Sequence, residues 1–425
     1  MTMQPDFVLD SRSKSFPLAA APVQSSQLAA RGWNVLHDDM PYPLAVIRQS
    51  ALAHNARWMQ DYAERRNIAF APHGKTTMSP QLFDLQLKGG AWGLTFAAIF
   101  QLSVGVEVGL RRAIIANQVI APADLAGLDA LLRQHTDLRV WFLVDSIAQL
   151  RCIEEWAQVN GSERRFDVLL EVGIPGQRTG VRTLDEAMAL AQAMQVSTSV
   201  RLGGIECYEG GLTQCNSAHD IPAVAELVRR VVEIAKQCDA QGLLPDDAPI
   251  LSAGGSAIFD LVVPLLQGAG LSRAFTGVLR SGCYITHDHG NYQRLLKLVE
   301  QREGLDASLQ AALEVWAVVQ SVPEPGLALL TCGRRDISYD LELPSVQRYA
   351  PRGSTTAQAV PAGWTISALN DQHAYLRFDS ALGTPVVGDR VALGISHPCT
   401  TFDKWRWIPV VDDAWNLVDA IETRF

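Results

Sequence analysis

The chain has little of what several protein classes need. Its seven cysteines are odd in number and never form a Cys-x-x-Cys pair, so neither a disulfide framework nor a structural zinc finger is indicated. A net charge of −9 at pH 7 leaves no basic field for phosphate backbones, which argues against nucleic acid and anionic membranes as partners. No uncharged apolar run is long enough to cross a bilayer, and the apolar stretch at residues 16–22 is too short and proline-broken for a signal peptide. These absences predict a cytoplasmic protein that acts on a small molecule.

What the chain does have is a regular alternation of strand-like and helical segments. Its 425 residues, 48% of them hydrophobic, are enough for two domains or for a large barrel with a companion. Eight strands separated by helical segments predict parallel connections, which a (β/α)8 TIM barrel over residues 49–299 satisfies. A doubly wound open sheet is the alternative, but no Gly-x-Gly-x-x-Gly fingerprint follows any strand. The eight apolar runs lie at residues 69–72, 92–97, 112–116, 139–144, 166–172, 200–208, 249–252 and 274–279.

The pattern changes after residue 300. Strand-like segments follow one another with turn residues between them and almost no helical period. This predicts a second, mainly antiparallel β domain over residues 300–425. A strand predicted at residues 44–48 precedes the eight barrel strands, so we expect residues 1–48 to end in a strand that joins the β domain.

Chemistry in such a barrel sits at the carboxyl ends of the strands. Lys75 lies just past the first strand, where an amine can form a Schiff base, although a lysine there is ordinarily a solvated residue. Arg178 follows the fifth strand and Tyr208 ends the sixth, so we expect both to face the same mouth. The coincidence of these residues favours a functional role for the lysine.

Glycine-rich turns follow the seventh and eighth strands. There, exposed backbone N–H groups and a helix N-terminus commonly bind a phosphate. Such a triplet alone is more often a tight turn with a helix cap. Together with a strand-end lysine it predicts pyridoxal 5′-phosphate, which needs an amine and a phosphate cradle. The predicted phosphate-binding residues are Gly254, Gly255, Ser256, Gly282 and Tyr284.

A second group of candidate residues lies in the predicted β domain. His397 and Cys399 are two residues apart, so on an extended strand their side chains would face the same side and share one divalent metal ion. Such a spacing alone is more often an accident of sequence. Two protein ligands leave open positions, as a catalytic zinc or manganese site requires. His287 and His289 lie in a polar loop, and we expect them to be solvated or at the rim of the pocket.

These residues together resemble the D-threonine aldolase and D-serine dehydratase family, the metal-dependent branch of the alanine-racemase-like, fold type III pyridoxal-phosphate enzymes. The segment from Pro72 to Thr76 is similar to the family's Pro-His-x-Lys-Thr, whose lysine carries the cofactor; this implies a cofactor-binding role for His73 and a catalytic one for Lys75. The resemblance also implies that Arg178 approaches the pyridoxal hydroxyl and that Tyr208 lies near the ring.

The resemblance further implies a homodimer in which the β domain of one chain covers the barrel mouth of the other. His397-x-Cys399 is similar to the metal pair of eukaryotic-type D-serine dehydratases, whereas aldolases of the family favour His-x-Asp. We therefore expect a dehydratase (deaminase) that converts a D-β-hydroxy amino acid, such as D-serine, D-threonine or D-threo-3-hydroxyaspartate, to an oxo acid and ammonia.

Four alternatives remain. A D-threonine aldolase would use the same cofactor to break the Cα–Cβ bond. A racemase needs a second acid–base group and has no use for a metal. A non-catalytic pyridoxal-phosphate carrier resembles the barrel alone, and the strand-rich region after residue 300 argues against it. A barrel that binds no cofactor would leave the residues at the strand ends as a coincidence.

Overall fold

A computed structural model describes residues 4–425 of the chain. Two sheets organise it, one of eight parallel strands and one of nine strands with mostly antiparallel pairing. Two short strands near the N-terminus, β1 (Val8–Leu9) and β2 (Val23–Gln24), pair with each other, and β3 (Leu44–Arg48) follows them. None of the helices in residues 4–425 combines the length and the apolarity of a bilayer span.

The parallel sheet is a closed barrel. Its strands run in the order β4-β11-β10-β9-β8-β7-β6-β5, and a parallel bridge between His73 and Thr95 joins the two ends. This confirms the predicted (β/α)8 barrel and excludes the open sheet. The barrel strands are β4 (Ala69–Phe70), β5 (Leu94–Phe96), β6 (Arg112–Gln118), β7 (Arg139–Val144), β8 (Phe166–Val172), β9 (Val200–Cys207), β10 (Ile250–Ala253) and β11 (Thr276–Leu279).

Local sequence signals set the ends of several barrel helices. Thr183 caps α6 by accepting a hydrogen bond from the Glu186 amide while the Glu186 carboxylate accepts from the Thr183 amide, and left-handed Gly161 ends α5. Helix α7 begins before Pro222, because the side chain of Asn216 caps it upstream of the proline. The helices are α1 (Gln49–Arg65), α2 (Pro80–Lys88), α3 (Ile99–Glu107), α4 (Pro122–Gln134), α5 (Ile147–Asn160), α6 (Leu184–Val196), α7 (Ser217–Ala240), α8 (Phe259–Gln267) and α9 (Asn291–Glu303).

The second sheet forms the β domain. Strand β3 pairs antiparallel with β12 and parallel with β18, so this early strand lies within the nine-stranded sheet. Strand β14 is half-buried along almost its whole length and therefore shows no alternation of buried and exposed residues. The elements are β12 (Leu313–Glu324), β13 (Leu327–Leu330), β14 (Ser345–Ala350), β15 (Thr365–Leu369), β16 (Ala374–Arg377), β17 (Arg390–Gly394), α10 (Cys399–Phe402), β18 (Trp407–Val411) and β19 (Leu417–Glu422).

The barrel and the β domain share one continuous hydrophobic core. Buried side chains run without interruption from Leu52 and Phe83 around the barrel to Val315 and Phe402 in the β domain. A separate cluster that includes Ile114, Leu169 and Val278 fills the inside of the barrel. Because the two lobes share a core, the loops at the barrel mouth and the metal-pair loop of the β domain are held in a fixed relation.

Candidate active site

Lys75 presents a free amine at the barrel mouth. It lies in a single 3-10 turn, Gly74–Thr76, which directly follows the bridge that closes the barrel. Its side chain is exposed, and within residues 4–425 its amine makes no hydrogen bond or ion pair. An amine without an acidic partner is available to react with an aldehyde.

A small cavity of about 40 Å³ opens beside this lysine. The guanidinium carbon of Arg178 lies 4.7 Å from the centre of the Tyr208 ring, so these two predicted residues contact each other as well as the cavity. The structure thus brings together six of the predicted residues, five from the strand ends and one, His73, from the family resemblance. The cavity is lined by His73, Lys75, Arg178, Tyr208, Gly254 and Ser256, together with Ala116, Leu143, Glu171, Glu206 and Arg280.

Two buried polar atoms on residues that line this cavity have no hydrogen-bond partner within residues 4–425: His73 Nδ1 and Glu206 Oε1. Burial holds the pKa of His73 well below its usual range, and the positive charges of Lys75 and Arg280 lower it further. His73 is therefore neutral and able to hydrogen-bond through its ring. Because buried polar atoms nearly always have partners, these two atoms indicate a cavity that receives a polar ligand.

Glu206 and Arg280 form a buried ion pair at the cavity and were not predicted as binding residues. Arg280 Nη2 donates to Glu206 Oε2 at 2.5 Å, and Arg280 Nη1 donates to Ser252 Oγ at 2.8 Å. Burial raises the pKa of Glu206 to about 7, although the guanidinium opposes this shift. Arg280 directly follows β11, so the strand-end argument could have found it. Glu206 lies inside β9, and because its neighbours form an apolar run, the strand-end pattern does not indicate it as a binding residue.

The turn after β10 already binds an anion. The amide of Gly254 donates to Glu209 Oε2 at 2.9 Å, and the amide of Gly255 donates to Glu209 Oε1. This carboxylate stands where we predicted a phosphate, so a phosphate that uses these amides must displace Glu209. Gly255 has a φ of +69°, and a Cβ there would lie 2.3 Å from Leu279 Cδ1, so only glycine fits.

The turn after β11 packs directly against the lysine loop. A Cβ on Gly282 would lie 2.8 Å from both His73 Cβ and Thr76 Oγ1, so the close approach of the two loops requires this glycine. The ring of Tyr284 packs against Phe70, and its hydroxyl accepts a hydrogen bond from Gln86 at 3.1 Å. Only the backbone of Tyr284 is left for the predicted phosphate contact.

Taken together, the residues present fit pyridoxal phosphate. The site offers an amine for the aldehyde, a turn that binds an anion, and unpartnered polar atoms on residues that line the cavity between them. Lys75 would hold the cofactor covalently, and the turns at Gly254 to Ser256 and Gly282 to Tyr284 would hold the phosphate.

Replacing Gly255 by valine should weaken cofactor binding by at least about tenfold, because a side chain at this φ strains the turn and collides with Leu279. Titration of the apoprotein with pyridoxal phosphate, followed by absorbance, measures the change. Gly353→Val is the matched control: Gly353 has a φ of +75° but no atom within 4 Å of its Cβ position. If Gly255→Val folds and binds the cofactor as well as the parent protein does, the phosphate lies elsewhere.

The predicted metal pair lies on a turn and not on a strand. Strand β17 ends at Gly394, Pro398 has helical backbone angles, and Cys399 begins α10. The placement of His397 and Cys399 on an extended strand is therefore wrong, because Pro398 turns the chain into the helix. Their side chains nevertheless contact each other through this turn.

Asp340 orients the imidazole of this pair. Its Oδ2 lies 2.6 Å from His397 Nδ1, which leaves Nε2 for a metal, as is usual for a histidine ligand held by a carboxylate. Burial disfavours the charged imidazole, but the hydrogen bonds with Cys399 and Asp340 outweigh it and raise the pKa of His397 to about 9. Asp340 lies in the loop between β13 and β14, and its position in the sequence follows no motif or spacing that predicts a contact with His397.

The Cys399 thiol lies beside the lysine loop. It donates to Thr76 Oγ1 at 3.5 Å, and its sulfur is 3.8 Å from that of Cys283. Hydrogen bonds from Cys283 and His397 hold the pKa of Cys399 well below its usual range against the effect of burial. An imidazole and a low-pKa thiol are ligands that suit zinc. Within residues 4–425 no three His, Cys, Asp or Glu side chains already form a metal cage.

His287 is buried and the side chain of His289 is 12% exposed, so the prediction that these histidines are solvated is wrong. Burial lowers the pKa of His287 to about 4 and that of His289 to about 3. The amide of His289 donates to the carbonyl of Ile395 at 2.9 Å, which ties this loop to the segment that precedes the metal pair. The loop is polar in sequence but lies between the barrel and the β domain.

Comparison with known proteins gives two family matches. The family described as "Alanine racemase, N-terminal domain" matches residues 47–265, and the one described as "Putative serine dehydratase domain" matches residues 312–411. The first match covers seven of the eight barrel strands, β4 to β10, and the second covers most of the β domain with the predicted metal pair. Both matches agree with the resemblance inferred from the motifs.

Characterised relatives cover most of the chain. D-threonine aldolase of Arthrobacter sp. is 26% identical over 386 residues, 88% of this chain and 91% of that protein. D-threo-3-hydroxyaspartate dehydratase of Delftia sp. (strain HT23) is 26% identical over 371 residues, 84% of this chain and 91% of that protein.

Solved structures share the fold. D-threonine aldolase from Filomicrobium marinum superposes with a TM-score of 0.74 at 23% identity, over 92% of this chain and 97% of that one. The Delftia dehydratase gives 0.69 at 20% identity, over 92% and 99%. A variant of that dehydratase with a cysteine replaced by alanine is described as a metal-free form.

Proposed function

The chain belongs to the family of the alanine racemase N-terminal domain, and we propose that it is a lyase, dependent on pyridoxal phosphate and a divalent metal, that dehydrates D-β-hydroxy amino acids. The substrates we expect are D-serine, D-threonine or D-threo-3-hydroxyaspartate, and the products are an oxo acid and ammonia. The relatives named as aldolase and dehydratase support the broader class, a lyase that acts on D-β-hydroxy amino acids.

The proposal rests mainly on one observation: in the folded chain Cys399 of the predicted metal pair contacts Thr76, the residue that follows Lys75. Thr76, the neighbour of Lys75 in the chain, is the acceptor for the Cys399 thiol at 3.5 Å. From this contact we infer that a substrate linked at the lysine end of the cavity reaches the pair formed by His397 and Cys399 with its β-carbon. That arrangement suits a reaction in which bonds at the α- and β-carbons break in turn.

When bound, the cofactor withdraws electrons from the α-carbon and the metal polarises the β-hydroxyl. The Nζ of Lys75 would hold the cofactor and, when it is free, would accept the α-proton of the substrate. Arg178 and Tyr208 form one wall of the cavity and orient the ring. His397, held by Asp340, and Cys399 would hold the metal.

The competing candidate is a D-threonine aldolase, favoured by the relative that matches 88% of this chain. An aldolase must remove the proton of the β-hydroxyl, whereas a dehydratase must help the oxygen leave. Cys399 supports the dehydratase, because the motif His-x-Cys is similar to that of D-serine dehydratases, whereas aldolases of the family favour His-x-Asp. We further propose a homodimer, because Lys75 is exposed in the single chain and a partner would shield it from water.

D-threonine separates the two reactions. The protein loaded with pyridoxal phosphate and zinc should give 2-oxobutanoate and ammonia, with little glycine. The same protein with L-threonine controls for stereochemistry, and a coupled assay for the oxo acid together with amino-acid analysis measures both product sets. Glycine and acetaldehyde as the main products would establish the aldolase. No product from any of the three D-β-hydroxy substrates would overturn the proposed lyase.

A further inference from the structure

Cys283 and Cys399 bring two reduced sulfurs together from different domains. Cys283 lies in the turn after β11, and its side chain is only 4% exposed. Cys399 begins α10 in the β domain, and the two sulfurs are 3.8 Å apart. Both thiols are free, since this separation is far beyond the roughly 2.05 Å of a disulfide bond.

The distance between the sulfurs matches a shared zinc ion. Two sulfurs that each lie about 2.3 Å from a tetrahedral zinc are separated by about 3.8 Å. The hydroxyl oxygen of Thr76 is 3.9 Å from the Cys283 sulfur and 3.5 Å from the Cys399 sulfur, so the two thiols converge on one side of the lysine loop. No backbone movement is needed to bring the sulfurs to the spacing that the metal requires.

We propose that Cys283 is the third protein ligand of the metal, so that His397, Cys399 and Cys283 form a Cys₂His site with one position open for the substrate hydroxyl. This inference rests on the metal dependence proposed above and adds a ligand that neither family motif contains. His397 is not yet grouped with both sulfurs, since no three such side chains form a cage within residues 4–425. The proposal therefore requires Nε2 of His397, whose ring already contacts Cys399, to approach Cys283 as well.

Two consequences follow from a third, soft ligand. Two thiolates favour zinc over manganese, whose preferred ligands are oxygen atoms. Cys283 is also the neighbour of Gly282 and Tyr284, so the metal would tie the predicted phosphate turn of the barrel to the β domain. Zinc should therefore raise the thermal unfolding temperature of the protein, because it binds only the folded arrangement.

X-ray absorption at the zinc edge tests the inference on the unmodified protein, loaded with one equivalent of zinc and a phosphine reductant. The fit should require two sulfurs at about 2.3 Å and at least one nitrogen. A fit with one sulfur would overturn the role of Cys283 while leaving the proposed function intact. Failure of the protein to bind zinc at all would overturn both, so the two proposals fail in distinguishable ways.

Variants give an independent measure. Cys283→Ser and Cys283→Ala should each raise the zinc dissociation constant by more than about tenfold, because loss of a direct ligand costs at least as much as loss of its supporting partner. Cys332→Ser is the control, since Cys332 is a buried free thiol of the β domain outside the site. With cobalt(II), the sulfur-to-metal charge-transfer band should lose about half its intensity in Cys283→Ser. An unchanged band and unchanged zinc affinity in a folded variant would refute the third ligand.

Discussion

Lys75→Ala should lose the covalent cofactor and reduce turnover by about 1,000-fold or more, because one amine both anchors the cofactor and moves the α-proton. Removing it therefore eliminates two functions at once. The visible absorbance of the purified protein and the rate of oxo acid formation measure the two effects. Borohydride reduction of the parent protein, followed by peptide mapping, should find the pyridoxyl group on the peptide that contains Lys75.

Lys88→Ala is the matched control for this experiment. Lys88 lies on α2, where its amine pairs with Asp84 at 2.7 Å, and it faces away from the cavity lining. Its replacement should change neither the absorbance nor the rate. A pyridoxyl group on another lysine, together with an active Lys75→Ala variant, would remove Lys75 from the mechanism.

The barrel was predictable because its signal is local and repeated. Strands β7 and β8 end where their apolar runs end, since both faces of a barrel strand are buried. Once the barrel is known, topology alone brings residues 75, 178 and 208 to one mouth, although they are far apart in the chain. The positions of the strand ends therefore predicted five of the eleven residues that line the cavity without any knowledge of side-chain contacts.

The site features that the sequence did not predict depend on contacts between segments that are distant in the chain. Glu206 lies inside an apolar strand, and only the position of Arg280 across the barrel makes it a buried ion pair. Asp340 is one acid among many until the fold places it on His397. His287 was expected to be solvated because its loop is polar, but packing between the two lobes buries it. No period or spacing encodes these contacts.

His397→Ala should reduce turnover by roughly 100-fold or more while the absorbance of the bound cofactor stays unchanged. The cofactor and the metal would be held by different domains, because Lys75 belongs to the barrel and His397 to the β domain. Loss of the metal removes the group that polarises the β-hydroxyl but leaves the covalent anchor intact. Chelation of the parent protein should have the same effect, and zinc should restore its activity but not that of the variant.

Asp340→Asn makes this prediction sharper, because it preserves the ligands and removes only the charge that orients the imidazole. The metal affinity should fall by about 10- to 100-fold, so the variant should be slow at limiting zinc and recover when zinc is raised. His37→Ala, at an exposed position, should behave like the parent protein at every zinc concentration. Recovery with added zinc is a result that a general loss of packing would not produce. Full activity in metal-free protein would instead mean that His397 and Cys399 act on the substrate directly, and the dehydration would then need an acid supplied by the chain itself.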